Sequence, residues 1–250
     1  MAQTDENVQN RIEGRNPVLE ALKSGREIDK ILVQSGEKNG SLKKIIAVAR
    51  EKKIVVTETE RRRLDAMSVT HSHQGVIAFA AAREYSTVED ILKSAADKGE
   101  QPFIVIADDL TDPHNLGSVI RTANAAGAHG VIIPKRNSVG LSPVVEKTSA
   151  GALEFTPVAR VSNLVSTIEF LKKNNIWVVG ADMDGSETIY THDFSGAVAI
   201  VVGSEGKGVS RLVREKCDFI VSIPMNGQIN SLNASVAAAL MMYEVVRTRN

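Results

Sequence analysis

A single cysteine, Cys217, is all the chain carries, so no internal disulfide is available. It lies just before the apolar run Phe219–Ile223 and reads as a buried thiol rather than a nucleophile. Net charge is also missing: 30 basic residues cancel 30 acidic ones, so global charge predicts no polyanion partner. No apolar run approaches the roughly 20 residues of a membrane span. The first residues, MAQTDENVQN, are polar, which predicts no signal peptide and a cytoplasmic protein. No G-x-G-x-x-G opens the second half, which excludes a Rossmann cofactor site, and no G-x-x-x-x-G-K-[ST] is present. His71 and His73 have no cysteine or acidic cluster at ligand spacing around them, so no metal site is expected.

What is present concentrates near the end of the chain. From Ile223 to Glu244 the sequence reads IPMNGQINSLNASVAAALMMYE. An apolar run ends at Pro224, and a loop with Asn226, Gln228, Asn230, Ser231 and Asn233 follows. A helix with almost no polar face then opens at Ser231. A solvent-facing helix would carry a charged stripe at the 3.6-residue period, so this one is expected to be buried, in its own domain or against a second copy.

Residues 1–82 read as a small α/β unit. Asn16 caps a helix with Pro17 at its first position, and Gly25 ends it. Lys30–Val33, Ile54–Thr57 and Gly75–Ala80 read as strands and Ser41–Lys52 as a helix. This part holds 14 Lys+Arg against 11 Asp+Glu, and residues 83–250 hold 16 against 19. The +3 and −3 that result permit nucleic-acid binding by the first part. Residues 83–101 read as a connection with a Ser86/Glu89 capping box. From residue 102, continuous β-branched runs at Phe103–Ala107, Gly130–Ile133, Ile176–Gly180, Ala197–Val202 and Phe219–Ile223 alternate with helices. The helices fall at Gly117–Ala126, Ser162–Asn174, Val209–Lys216 and Ser231–Arg247. Runs without alternation predict strands covered on both faces, hence a mainly parallel α/β sheet.

Ligands of open parallel sheets bind beyond the carboxyl ends of the strands, and three strand ends run into unusual polar loops. GSEGKG alone would read as a bare turn, and His114 alone as structural, RNA-facing or catalytic. Together, D-P-H-N-L-G-S-V-I-R-T-A, G-S-E-G and I-P-M-x-G-x-x-x-S-L-N-x-S closely resemble the three motifs of the SpoU/TrmH family. That family comprises SPOUT-class RNA 2′-O-ribose methyltransferases. GRNPVLEAL and HQGVIA resemble the L30e-like RNA-binding extension of the RlmB-type 23S rRNA guanosine-2′-O-methyltransferases.

The resemblance implies an L30e-like domain over 1–82 and a SPOUT domain with a C-terminal trefoil knot over 102–250. It implies S-adenosylmethionine as cofactor, with contacts at Gly203, Ile223, Met225 and Leu232. Ile223 and Met225 suit an adenine face, and Gly203 would allow close approach. Core packing alone would also explain Ile223 and Leu232. The implied catalytic residues are Arg121, Asn115, Glu205, Ser231 and Asn233. A guanidinium hardly deprotonates, so Arg121, one helical turn beyond Asn115, is expected to stabilise the phosphate and the developing oxyanion. Asn115 would hold Arg121 or contact RNA. Glu205 would pair with Arg121, orient the nucleotide, or sit at the start of the helix that follows it. Ser231 and Asn233 would double as helix caps. Implied partners are RNA, with 23S rRNA favoured over tRNA, and a second copy packed on the final helix. Arg15, Arg61 and Arg62 are expected to meet RNA phosphates. Aromatics make up only 4% of the chain, so shape and phosphate contacts should dominate. A non-catalytic RNA-binding protein of the same fold is the alternative from another class.

Overall fold

In the computed structural model, which describes residues 10–36, 40–228 and 231–250, the chain divides into two units. One is Met1–Glu84 with Gly140–Val144, the other Tyr85–Val139 with Val145–Asn250.

The first unit runs β1 (Arg11–Glu13), α1 (Arg15–Lys23), β2 (Ile28–Gln34), α2 (Gly40–Glu51), β3 (Val55–Thr59), α3 (Arg61–Met67) and β4 (Val76–Ala80). Its sheet has the order β1-β4-β2-β3, with β2 and β3 parallel and the other pairs antiparallel. α1 and α2 bury Val18, Leu22, Leu42 and Ile45 on one face, together with Ile31 and Ala78. Leu64 of α3 packs with Leu32 and Ile77 on the other. β1 and α3 are too short for periodicity and had no sequence signal. α1 starts before the expected Asn16 cap. Gly14 takes the capping position at φ 91°, a left-handed conformation that suits glycine, and the Arg15 amide donates to Gln74 Oε1 (3.1 Å). Pro17 is then the third helical residue, where a missing N–H still costs no bond.

The second unit adds α4 (Val88–Lys98), β5 (Phe103–Ala107), α5 (Pro113–Ala125), β6 (Gly130–Pro134) and α6 (Pro143–Thr148, which begins within the segment grouped with the first unit). A 3₁₀ turn (Ala152–Glu154), β7 (Val158–Val161), α7 (Leu164–Lys173), β8 (Trp177–Ala181) and β9 (Glu187–Thr188) follow. The chain ends with β10 (Val198–Val202), α8 (Arg211–Arg214), β11 (Phe219–Ser222) and α9 (Ala234–Arg249). Every pairing in the order β7-β6-β5-β10-β8-β11-β9 is parallel. β5 and β10, at the centre, are buried at every position.

The stretch 83–101 is not a bare connection. Val88 and Ile91 of α4 join Ile104, Ile132 and Ile168 in the core of the second unit. The capping box is one residue later than expected, Thr87 with Asp90, because Ser86 is extended and bridges to Ala159. At the far end, Arg249 donates to the carbonyls of Gln101, Pro102 and Gly196 and lies over the Phe103 ring, tying α9 to the start of β5. Cys217 donates to the Val213 carbonyl (3.4 Å), and burial pushes its thiol up to about 12, as an inert core thiol should be.

Candidate active site

β5 and β10 are neighbours while the chain leaves β5 toward β6, so a crevice opens between their carboxyl ends. The two loops there are tied together. Buried Asp108 accepts from the Ser210 amide (2.8 Å), and the Asp108 amide donates to the Val202 carbonyl (2.8 Å). The GSEGKG loop is a tight hairpin in which Ser204 and Gly208 exchange both backbone bonds (3.1 and 3.0 Å). An added Cβ on Gly203 would lie 1.9 Å from the Gly208 carbonyl oxygen. The hairpin's own backbone thus already requires glycine at 203.

Beside this hairpin is a cavity of about 200 Å³. Gly203, Ile223, Met225 and Leu232, which the motifs had suggested, all line it, with Ser231, Glu205 and Ala237. The β8 end adds Ala181, Asp182 and Met183. Asp182 and Asp108 had escaped the sequence reading, although each is an acidic residue directly after a buried strand, a detectable signal. Asn230 lies outside the described residues.

Asn115, Glu205 and Asn233 meet at the edge of this cavity. Asn233 caps α9: its Oδ1 accepts from the Ser235 and Val236 amides (3.0 and 3.4 Å) and from Ser235 Oγ. That fixes the amide orientation and leaves Nδ2 to donate to Asn115 Oδ1 (2.9 Å) and Glu205 Oε1. Asn115 Nδ2 donates to the same Glu205 oxygen (3.0 Å), and the Ala234 amide approaches it at 3.4 Å. The carboxylate therefore sits at the positive end of α9. It does not serve the short α8 that follows it in sequence, as one expectation had it.

Three further expectations change. α5 begins at Pro113, capped by Asp112, not at Gly117, so Asn115 is itself helical. Arg121 is then six residues on, about 120° round the helix from Asn115, and its partner is neither Asn115 nor Glu205. The guanidinium is exposed and has no hydrogen bond or ion pair among the described residues. Ser231 lines the cavity but does not start α9; Asn233 does, so it is not a first-turn residue. In the first unit, Arg15 has a structural task, donating to the Gln74 carbonyl (2.9 Å) and Ser41 Oγ (3.2 Å). Arg61 lies 3.9 Å from Asp65 and Arg62 is exposed. No group of three His, Cys, Asp or Glu residues suited to a metal occurs among the described residues.

α9 has two apolar faces. Ala238, Met241, Met242 and Val245 are buried, whereas Val236, Leu240 and Tyr243, at i, i+4 and i+7, are 37–52% exposed. No described helix is long and apolar enough to cross a membrane.

Comparison with known proteins shows the family. The SpoU rRNA Methylase family model matches residues 102–243, and a model for RNA 2′-O ribose methyltransferase substrate binding matches 11–86. The TrmH family protein YacO of Bacillus subtilis (strain 168) is 51% identical over 95% of both chains. Among solved structures, the SpoU methyltransferase AviRb from Streptomyces viridochromogenes, in complex with AdoMet, is 25% identical. It covers 96% of this chain and 90% of its own, with a TM-score of 0.59. An AdoMet-bound rRNA methyltransferase from Sinorhizobium meliloti, also 25% identical, covers 97% and 88% with a TM-score of 0.56. The chain belongs to the SpoU/TrmH family of RNA methyltransferases.

Proposed function

We propose that the protein methylates a ribose 2′-hydroxyl of RNA, at a guanosine of 23S rRNA, in the cytoplasm, with S-adenosylmethionine as donor. The observation that carries this reading is the convergence of three strand-end loops, Asn115, Glu205 and Asn233 joined at the edge of one cavity. The cavity chemistry fits the cofactor. Ile223, Met225, Leu232 and Ala237 offer apolar walls to a flat ring, and Glu205 and Asp182 place carboxylates where a cation would be held. When bound, the cofactor supplies an electrophilic methyl group on a positively charged sulfur. The residues around it do the rest. Asn115 and Asn233 hold the Glu205 carboxylate in place. The Arg121 guanidinium stabilises the phosphate and the negative charge that grows on the ribose oxygen.

The rRNA target is supported by the whole-length likeness to an rRNA methyltransferase and by a substrate-binding unit over residues 11–86. Arg15, Arg61 and Arg62 serve that unit's phosphate contacts. The knot implied by the motifs is supported by the strand order and by Ile223, Met225, Ser231, Leu232 and Ala234 lining the same cavity as the 203–208 hairpin. A homodimer is supported by the exposed Val236–Leu240–Tyr243 stripe. The offset of Arg121 from Asn115 fits a site completed beside the second copy. A monomer at micromolar concentration by light scattering would contradict the dimer.

Mapping 2′-O-methyl groups in rRNA and tRNA from cells with and without the protein tests the function. Loss of one 23S rRNA guanosine methyl supports it; loss from tRNA alone moves the target. Tight S-adenosylmethionine binding with no lost methyl anywhere would leave a non-catalytic protein.

A further inference from the structure

Phe155 stands largely uncovered among the described residues. At 78% exposed it has the highest value among the large apolar side chains described, in a chain with few aromatics. Its position is nevertheless fixed. The Phe155 and Thr156 amides both donate to the Ala152 carbonyl (3.0 Å each), and buried Thr156 Oγ1 accepts from Asn124 Nδ2 of α5 (3.1 Å). The turn is entered through Ala150 at φ 50° and Gly151 at φ 88°.

Which surface Phe155 shares follows from helix periodicity. His114, Gly117, Arg121 and Asn124 are spaced i, i+3, i+7 and i+10, one stripe of α5. Three of them meet the segment 148–156 in order. His114 Nδ1 lies 3.5 Å from Thr148 Oγ1, a Cβ on Gly117 would come within 2.6 Å of Thr148 Cβ, and Asn124 holds Thr156. The segment therefore runs along this stripe. Arg121 belongs to the same stripe, between Gly117 and Asn124, and is exposed. A guanidinium without a partner among the described residues, on the helix stripe that the Phe155 segment packs along, offers a phosphate contact to complement a base-stacking face.

We infer that Phe155 is the stacking platform for a base of the RNA substrate, next to the phosphate taken by Arg121. This rests on the reading of Arg121 as a phosphate-binding residue. A contact between two copies of the chain is the rival occupant. The exposed residues adjoining Phe155, namely Ala150, Gly151 and Glu154, are small or charged, unlike the continuous apolar stripe of α9, which favours a nucleotide base.

The test uses the full chain with rRNA purified from cells lacking the protein, and follows methyl incorporation from labelled S-adenosylmethionine. Phe155→Ala should raise KM for RNA roughly tenfold with a smaller change in kcat. Phe155→Tyr should restore it and Phe155→Leu should not, with unchanged S-adenosylmethionine affinity and unchanged mass by light scattering. Wild-type KM in Phe155→Ala, rescue by Leu as good as by Tyr, or a change of mass would overturn the inference. If even the wild type transfers no methyl, filter binding of the same rRNA carries the comparison. Affinity lost with Ala and regained with Tyr then supports the platform although the methyl-transfer reading fails. Equal affinities, or no RNA binding at all, overturn it.

Discussion

Asn233 performs two tasks with two ends of one amide, and substitution can separate them. Its Oδ1 caps α9 at the Ser235 and Val236 amides, and its Nδ2 holds Asn115 and Glu205. Asn233→Ala removes both. Loss of an N-cap costs about 0.5–2 kcal/mol, and in a unit of this size each kcal/mol lowers Tm by about 2–4 °C. Glu205 and Asn115 are not buried, so water replaces the lost donor and adds little to that cost. Asn233→Ser keeps a capping oxygen but has no amide nitrogen to reach Glu205, so its Tm should stay close to wild type. Both variants should nevertheless lose function together. A hydrogen bond to a charged group is worth ~1.5–3 kcal/mol, so cofactor affinity or turnover should fall by about tenfold or more in each. Thermal unfolding, S-adenosylmethionine titration and methyl incorporation measure the three quantities. Wild-type activity in Asn233→Ser, or equal destabilisation of the two variants, would refute the division of labour.

Arg121→Ala should abolish methyl transfer while S-adenosylmethionine binding by calorimetry persists, because Arg121 is exposed and does not line the cavity; retained turnover would refute its role. Gly203→Ala should abolish cofactor binding and lower Tm, since the new Cβ meets hairpin backbone at Gly208 and Val209, which cannot rotate away. His129 is buried, accepts from the Phe103 amide at Nδ1 (3.0 Å) and contacts Glu100 at Nε2 (3.1 Å). Burial holds its pKa below the ordinary 6.5, a shift that Glu100 partly offsets. The unfolded chain therefore takes up this proton first: the stability is full above about 6.5 and is lost as pH falls below it. Tm measured from pH 7.5 to 5.5 should fall less in His129→Gln, which cannot titrate but can still accept from Phe103.

Much of the second unit was legible because both faces of its sheet are covered. FIVIA was expected as a strand at Phe103–Ala107 and forms one there, and the four other expected strands lie within a residue of their positions. Edge strands were not legible: β7 has four residues and β9 two, too few to carry a period. Helix starts were misjudged where tertiary partners compete with local caps, as Gln74 does at Arg15 and Ala159 at Ser86. The offset of Arg121 from Asn115 could have been counted from the sequence, had Asp112-Pro113 been taken as the start of α5.

Local chemistry determined which segments are strands, that three polar loops end them, and that α9 needs apolar cover. Sequence distance could not determine that Asn115 meets Glu205, 90 residues away, and Asn233, 118 away. Those contacts depend on the order β5-β10-β8-β11. Parallel strands are joined by helices that carry no record of which neighbour a strand will take, so strand order is decided by packing the helices on both faces. The same packing divides α9. Its composition called for burial all round, yet only the face bearing Ala238, Met241, Met242 and Val245 is covered, and Val236, Leu240 and Tyr243 remain exposed.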